Sequence, residues 1–493
     1  MLNTNKSADI HGITAESLIH GGDVLKNTLC SVLNEAFKHV QISDLLKIGT
    51  LTPIYKNKGD PTNSKNYRGI TITPTISKLA EIIIKERIKN IILKPQNPLQ
   101  RGFTINTAPL IASLLLEEFE RENRDLKKPT IFGMLDAKSA FDVVRHNNLI
   151  RKLYHTGISS QDLLLIDNLY KNATTRIKWN GKLSEPFPIN QGVRQGGTLS
   201  ADLYKIYINQ LLDFMSNSGI GGKIGNINVC APTCADDIAL AANNPLEIQV
   251  LIDMAYDYSQ REAYLLQPTK SVILPVKTSN KINFASEVWT MNNKDLLTVQ
   301  RTSHIGIQRD CINSAASTIE ENLKKARRAL YSLMHTVLHG ENGLDPTTSV
   351  CLLKTFVFPI MFYGLDVLLP NGKNLDTLDK HYKKVIKQVL SLPSSVADPA
   401  IYILSGLLPA RAEIHKALNL FGSICRAGSS ATEWEVAERQ LSIKNRKSNS
   451  WFIEIKTLFI KYELGDPYLL LFDTKNSQKE IWKKTVKINV EKY

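Results

Sequence analysis

The chain has 493 residues and carries 61 Lys and Arg against 47 Asp and Glu, a formal net charge of +14. One hydrophobic core stops growing near ~250–300 residues, so this length predicts two or three domains. The composition, 43% hydrophobic and 22% charged, excludes wholesale disorder. No apolar run reaches the ~18 residues of a membrane span, and the polar N-terminus does not resemble a signal peptide. Six scattered cysteines favour free thiols in a reducing compartment.

The excess positive charge lies in two blocks. Residues 41–101 hold 11 basic and 4 acidic side chains, and residues 371–493 hold 20 and 13, so each block nets +7. Such blocks suit a polyanion, because phosphate contacts by Lys and Arg release counterions. A basic protein with solvated charges explains the composition equally well.

Hydrophobic periodicity predicts the elements in chain order. The N-terminal part is predicted as helices 13–19 and 22–48, strand 51–55, and helices 76–93 and 108–122. The centre is predicted as strand 130–135, helices 149–154 and 161–170, hairpin 174–187, helix 199–214, strands 227–234 and 238–242, helix 246–263 and strand 271–276. Helices dominate from about residue 319. This order predicts an α+β region followed by a helical region.

Three acidic residues stand at the ends of apolar runs: Asp136, and the adjacent pair Asp236 and Asp237. An ionised carboxylate avoids low dielectric unless it is paired or bound to a metal. Hard divalent cations such as Mg²⁺ prefer carboxylate oxygens and also bind phosphates. On its own, however, an Asp-Asp pair is more often a turn than a metal site.

Seven motifs surround these carboxylates, at 53–60 with 66–68, 100–103, 132–142, 192–200, 234–237, 266–271 and 304–307. In content and order they resemble the motifs of reverse transcriptases from LINE-type (non-LTR) retrotransposons. The resemblance is strong over residues 41–310 and weaker through the helical remainder. It implies a right-hand polymerase fold, with fingers and an antiparallel-sheet palm over 1–310, a helical thumb over 311–395 and a basic, mostly helical region over 396–493.

The resemblance also implies an activity and its partners. The expected reaction is RNA-directed DNA synthesis, in which a DNA primer or target DNA is extended from dNTPs on an RNA template, with two Mg²⁺ ions and Mn²⁺ as a substitute. A nuclear location is expected for synthesis at a target site, after a cytoplasmic RNA–protein stage, and no membrane is involved. An endonuclease is expected to be encoded elsewhere in the element.

Individual residues take roles by the same resemblance. Asp136, Asp236 and Asp237 are the expected catalytic metal ligands. Residues expected to bind the nucleotide are Lys56, Lys58, Arg68, Phe141, Gln195, Gly196 and Lys270. Phe141 is expected to exclude a 2′-hydroxyl, and Lys270 to protonate the leaving pyrophosphate. Residues expected to follow a duplex backbone are Lys324, Lys325, Arg327 and Arg328.

Some residues depart from the family pattern or have competing explanations. Thr198 and Ala201 stand where the family usually has proline, which predicts a looser loop, and Cys234 replaces an aromatic residue. Asp142 is expected to cap the following helix, and the tryptophans of the basic tail, Trp434, Trp451 and Trp482, are expected to pack in a core rather than to stack on bases. The alternatives are an inactive nucleic-acid-binding remnant, an intron-maturase-type enzyme and an RNA-dependent RNA polymerase.

Overall fold

The computed structural model describes residues 2–57, 59–104, 107–278, 284, 286–334, 344–473 and 478–492. The chain divides into two compact units, each assembled from separate stretches of sequence. Unit 1 comprises Met1–Asn97, Ala137–Phe214 and Met254–Gln267. Unit 2 comprises Pro98–Asp136, Met215–Asp253 and Pro268–Tyr493. Among the described helices, none is both long and apolar enough to cross a membrane.

The described helices are α1 Ala15–Ile19, α2 Gly22–Lys38, α3 Thr75–Leu93, α4 Leu110–Leu126, α5 His146–His155, α6 Ser160–Tyr170, α7 Ser200–Asn217, α8 Pro245–Glu262, α9 Ser314–Met334, α10 Pro346–Leu352, α11 Phe358–Met361, α12 Leu365–Leu368, α13 Gly372–Val389, α14 Asp398–Ser405, α15 Ala410–Ile414, α16 Ala417–Ala427, α17 Thr432–Ile443, α18 Trp451–Lys461, α19 Pro467–Phe472 and α20 Lys479–Lys492. Leu353–Val357 forms a π-helical turn between α10 and α11. Every described element after residue 310 is helical, which confirms the predicted change in character.

The described strands are β1 Ile48–Tyr55, β2 Tyr67–Ile72, β3 Thr130–Leu135, β4 Thr174–Trp179, β5 Lys182–Leu183, β6 Phe187–Pro188, β7 Lys223–Ile224, β8 Ile227–Asn228, β9 Thr233–Cys234, β10 Asp237–Ala242, β11 Val272–Val276, β12 Thr290–Met291, β13 Lys294–Asp295, β14 Leu297–Thr298, β15 Arg301–His304 and β16 Ile307–Asp310. The mixture of helices and sheets confirms the expected α+β class. The Asn-Gly hairpin turn is confirmed between β4 and β5, where Asn180 and Gly181 both have positive φ.

Two predicted elements are wrong in extent. The helix predicted over 22–48 ends at Lys38, because Val40 adopts a left-handed φ of 54° that no α-helix accommodates, and β1 begins at Ile48. The strand predicted over 227–234 is broken into β8 and β9. Pro232 lies in the break, and a proline lacks the N–H that a continuous ladder needs. Apolar content alone could not reveal either interruption.

Unit 1 contains a sheet in the order β2-β1-β4-β5, with β6 also paired to β4. β1 runs antiparallel to β2 and parallel to β4. Pro74, two residues after the end of β2, occupies the N-cap position of α3. Helix α3 buries Ala80, Ile84 and Ile88. A hydrogen bond from Thr71 N to Gln195 O at 2.8 Å joins β2 to the loop that leads to α7.

Unit 2 contains a sheet in the order β14-β11-β3-β10-β9. Its neighbours pair antiparallel, except that β11 and β14 are parallel. β3 lies at the centre with all six residues buried, as the compact apolar run predicted. α4 carries Phe119 onto this sheet, where its ring lies 6.4 Å from that of Phe132. The sheet is thus covered up to the end of its central strand β3.

Charged residues are buried along α4, and partners within unit 2 compensate them. Glu117 receives hydrogen bonds from Arg121 at 2.8 Å and from Arg309 at 2.6 Å. Arg309 is fully buried and also donates to Ser113 O. Although burial by itself raises the pKa of Glu117, these two guanidinium groups hold that pKa below its usual value. At neutral pH the cluster therefore consists of charged groups, and each needs its partners to offset the cost of burying its charge.

We expect Arg309→Met to lower the free energy of unfolding by about 3–5 kcal/mol, because it leaves Glu117 charged and buried with one partner fewer. The lowered pKa of Glu117 means that this stabilisation is present above about pH 4.5 and is lost as the pH falls through the folded-state pKa. The variant should therefore lose less stability than the wild type on acidification. Urea unfolding at pH 7 and pH 4 measures both effects. Lys26→Met, which breaks an exposed pair with Asp23, is the control and should change stability by less than about 0.5 kcal/mol.

Candidate active site

Three neighbouring strands of unit 2 end side by side. β10 pairs with β3 as far as Ile238 opposite Leu135, and Asp237 and Asp136 are the next residues beyond that pair. β11 pairs with β3 as far as Val272 opposite Met134, and Lys270 lies two residues before that pair. Asp136, Asp237 and Lys270 therefore form a row of residues within two positions of the same edge of the sheet.

Polar contacts fix the middle of this row. Asp136 N donates to Ser271 Oγ at 3.1 Å, and Lys270 Nζ lies 3.9 Å from Asp136 Oδ2. The side chains of Lys270 and Asp136 are 62% and 43% exposed, so the pair is accessible to a ligand and weak in water. An ion or phosphate that enters this row can displace the contact at little cost.

Asp236 lies in the tight turn that joins β9 to β10. Cys234 and Asp237 pair across the turn, and Ala235 has a left-handed φ of 59°. Burial, then the negative charges of Asp237 and Asp236, raise the pKa of the Cys234 thiol to about 11. We call residues 234–237 the carboxylate turn. Its local potential is negative, as a cation site requires.

The donor set suits a hard divalent cation, because it consists of carboxylate oxygens that are partly open to solvent. Within the described residues, no group of three or more His, Cys, Asp and Glu side chains is arranged so that it could hold a metal ion. Mg²⁺ usually takes one or two carboxylates and completes its shell with water and phosphate oxygens, so an ion here would need ligands from outside the protein.

Unit 1 contains most of the other predicted nucleotide-binding residues. Arg68 is exposed on β2, and Lys56 is exposed just after β1, where its Nζ donates to Lys65 O at 2.9 Å. Lys58 lies outside the described residues. Gln195 Nε2 donates to Asp142 Oδ1 at 3.2 Å, and burial raises the pKa of Asp142 while Gln195 and Lys56 oppose that rise. Asp142 thus binds Gln195, and its predicted role as a cap of α5 is wrong, because Arg145 occupies the cap position.

The segment 192–196 requires glycine at two places. Gly192 has a φ of 92° and no room for a Cβ against the backbone of Asp142. Gly196 has a φ of 103° and lies against Thr71 O. The neighbouring cleft of about 850 Å³ is lined by Tyr67, Trp179 and other residues of β1, β2, β4 and segment 187–195. Backbone is therefore accessible to a ligand along one wall of this cleft.

Phe141 is held in one orientation within unit 1. Its ring stacks on Tyr204 of α7, with centroids 4.5 Å apart and an angle of 16° between the planes. Its carbonyl accepts a hydrogen bond from Val193 N at 2.8 Å. A half-buried ring fixed by stacking can act as a steric wall, which is the role predicted for it.

Glu81 of α3 is a positioning residue that the sequence patterns did not single out. Its carboxylate accepts hydrogen bonds from Thr198 N at 2.7 Å and Leu199 N at 3.2 Å, just before α7 begins. The predicted looser loop at Thr198 is therefore wrong: a proline could not donate this bond, and the threonine can. The sequence signal that could have indicated this role is the position of Glu81, an acidic residue within the apolar stripe of α3.

The basic residues predicted on α9 behave differently from one another. Lys324 pairs with Glu320 at 2.8 Å and Lys325 with Glu321 at 3.7 Å, one helical turn earlier in each case. Arg327 and Arg328 are exposed. α9 therefore presents a positive stripe in which the two lysines are partly compensated. By contrast, Trp434, Trp451 and Trp482 are all buried, which confirms the prediction that they pack in a core.

The sequence matches the reverse transcriptase (RNA-dependent DNA polymerase) family over residues 54–286. It is 25% identical to the Pol polyprotein of the R2 retrotransposable element of Popillia japonica, over 71% of this chain and 49% of that protein. It is 24% identical to the RNA-directed DNA polymerase of the mobile element jockey of Drosophila melanogaster, over 65% of this chain and 35% of that protein. The apo telomerase of Candida tropicalis aligns over 88% of this chain and 74% of that chain, with 11% identity and a TM-score of 0.41. The chain spans about half or less of the length of these two element proteins.

We expect Glu81→Leu to lower the free energy of unfolding by about 1–3 kcal/mol, because the part-buried N–H of Thr198 and the buried N–H of Leu199, just before α7, lose their acceptor. Hydrogen exchange of the Thr198 and Leu199 amides should accelerate before that of the rest of α7. Glu86→Leu, an exposed substitution on the same helix, is the control and should change stability by less than about 0.5 kcal/mol. Unchanged exchange at both amides would contradict the assignment.

Proposed function

We propose, from the premise that residues 54–286 are a reverse transcriptase domain similar to those of non-LTR retrotransposons, that the chain extends a DNA primer on an RNA template. The supporting observation is the row of Asp136, Asp237 and Lys270 at the ends of three strands, with Asp236 in the adjoining turn. Metal-dependent nucleotidyl transfer needs such a group of carboxylates, because the triphosphate is itself anionic.

Asp136, Asp236 and Asp237 would hold two Mg²⁺ ions, or Mn²⁺ in their place. When bound, such ions neutralise phosphate charge and stabilise the attacking and leaving oxygens of an in-line displacement. Lys270 would exchange its contact with Asp136 for the departing pyrophosphate and give it a proton. The 62% exposure of Lys270 is consistent with that exchange.

Unit 1 would supply the contacts to the nucleotide itself. Arg68 offers a planar pair of donors to a phosphate, and Lys56 offers a point charge. Gln195 and Gly196 would present side-chain amide and backbone to the nucleotide and template. Phe141 would lie under the sugar and reject a 2′-hydroxyl. Lys58 stays a prediction, since it lies outside the described residues.

The names fingers, palm and thumb belong to this proposal. Residues 1–310 would form the fingers and palm, 311–395 the thumb and 396–493 a further helical region. The exposed Arg327 and Arg328 of α9, with Lys324 and Lys325, would follow the backbone of a duplex by charge alone. An endonuclease encoded elsewhere in the element would prepare the target DNA, and synthesis there would place the protein in the nucleus.

Primer extension on an RNA template tests the proposal directly. We expect Asp136→Asn, Asp236→Asn and Asp237→Asn each to reduce extension at least about a hundredfold, because a neutral amide is a poor ligand for Mg²⁺. Affinity for the RNA–DNA duplex measured without metal should stay unchanged. Asp253→Asn, in α8 of the same unit, is the matched control and should extend normally. Duplex binding without extension by the wild type would favour an inactive remnant instead.

We expect Phe141→Ala to reduce discrimination between dNTPs and NTPs by about 10–200-fold, because a truncated ring leaves room for the 2′-hydroxyl. Single-nucleotide incorporation with matched dNTP and NTP pairs measures the ratio of kcat/KM values. Phe214→Ala removes a partly exposed ring from α7 and serves as the control. An unchanged ratio in Phe141→Ala would contradict the assigned role, and a wild-type preference for NTPs would indicate an RNA polymerase.

A further inference from the structure

Residues 99–101 run beside β9 and pair with it through an isolated bridge. Thr233 N donates to Leu99 O at 2.9 Å, and Arg101 N donates to Thr233 O at 2.8 Å. These two bonds form a parallel bridge centred on Gln100. Because β9 leads directly into the carboxylate turn, this pairing fixes the backbone on one side of that turn.

The side chain of Gln100 holds the turn itself. Gln100 Oε1 accepts hydrogen bonds from Ala235 N and Gly102 N, each at 2.9 Å, and its Nε2 donates to Ala235 O at 3.3 Å. Gln100 is fully buried. The left-handed conformation costs a residue such as Ala235 roughly 1–2 kcal/mol, so bonds to both of its backbone groups stabilise a strained position. An amide provides the acceptor and the donor that this arrangement needs.

Close packing reinforces these hydrogen bonds. A Cβ on Gly102 would overlap the backbone of Cys234 and Ala235. The absence of a side chain at Gly102 therefore lets residues 100–102 lie directly against the carboxylate turn. The Gln-Arg-Gly sequence thus contacts the backbone that carries the carboxylates.

Arg101, between these two residues, is fixed by the C-terminal helical region. Its Nη1 donates to both carboxylate oxygens of Glu433, at 2.9 and 3.0 Å. The two side chains are 5% and 1% exposed, and they lie 332 residues apart in sequence. Glu433 lies in the first turn of α17. Removing one partner of such a buried pair leaves an uncompensated charge, so the pair constrains where residues 100–102 can lie.

We propose that Gln100 and Glu433 are positioning residues for the metal-binding carboxylates: Gln100 acts on Ala235 directly, and Glu433 acts through Arg101. This inference rests on the proposed metal-binding role of the carboxylate turn. It gives the region 396–493 a part in catalysis that does not require it to touch nucleic acid.

The test compares near-isosteric variants of the full chain by two measurements. The first is the affinity for Mn²⁺, followed by electron paramagnetic resonance, and the second is the Mg²⁺ concentration that gives half-maximal primer extension. We expect Gln100→Met to weaken Mn²⁺ binding about tenfold and to raise the Mg²⁺ midpoint by a similar factor, because residues that orient metal ligands typically have effects of about 10–100-fold. Glu433→Gln should shift both in the same direction by less, and saturating Mg²⁺ should restore most of the extension rate in both variants.

Gln440→Met is the matched control. Gln440 is a buried residue of the same helix, α17, but it donates to Glu118 at 2.6 Å and has no bond to residues 98–101. It should leave the Mn²⁺ affinity and the Mg²⁺ midpoint unchanged. Should Gln100→Met fail to fold, Gln100→Asn takes its place, because it keeps the amide and the net charge but is one methylene too short to reach both backbone groups of Ala235.

The outcomes separate this inference from the proposed function. Wild-type Mn²⁺ affinity in a folded Gln100 variant (Gln100→Met or Gln100→Asn) and in Glu433→Gln overturns the positioning role, as does an equal loss of affinity in Gln440→Met. If the variants differ in Mn²⁺ affinity as expected but the wild type extends no primer, the positioning role stands and the proposed polymerase activity fails.

Discussion

The structure of unit 2 depends on ending a buried sheet in acidic side chains that reach solvent. β3 is covered along all six residues, yet Asp136, which follows it directly, is 43% exposed. The strands β10 and β11 also end at this edge of the sheet. Asp136 can therefore reach solvent one residue after a fully buried strand, and Asp237 and Lys270 lie at the same edge. A carboxylate one residue earlier on the strand would be buried and would pay the desolvation cost. A carboxylate several residues later would no longer be held in position by the pairing of the strands.

The same cost explains how the C-terminal helices attach within unit 2. α4 buries four glutamates, and α17 and α18 supply partners for two of them. Gln440 donates to Glu118, and Trp451 N donates to the other oxygen of that carboxylate at 2.8 Å. Lys444 pairs with Glu122 at 2.6 Å. Although burial raises the pKa of Glu118, the hydrogen bonds from Gln440 and Trp451 favour the charged form of that carboxylate. The C-terminal helices are therefore needed as partners for buried carboxylates of α4. The Arg101–Glu433 pair extends that dependence to residues 100–102, which contact the carboxylate turn.

Sequence patterns correctly predicted those elements whose structure is determined by the residues within them. The run 130–135 became β3 because uninterrupted apolar residues suit a strand buried on both faces, and the Asn-Gly turn formed where its positive φ values allow it. They failed where the backbone turns without a local signal, as at the left-handed Val40 just after α2 ends. They also failed where a distant contact decides: the bonds of Glu81 to Thr198 and of Gln100 to Ala235 join residues 117 and 135 positions apart. The Gln-Arg-Gly motif was visible, but its partner was not.

Charge counting along the sequence overstated the force available for binding nucleic acid. Of the basic residues in the block 41–101, Arg101 is buried against Glu433 and Lys47 is 3% exposed beside Asp44. Lys85 pairs with Asp202 at 2.7 Å and Arg87 with Asp162 at 3.0 Å. Only charges that can meet a phosphate release counterions from it, so paired and buried residues add little to the salt dependence of binding. Any affinity of this block for a polyanion therefore depends on its exposed residues, Arg68 among them, and not on the net charge of +14 of the whole chain.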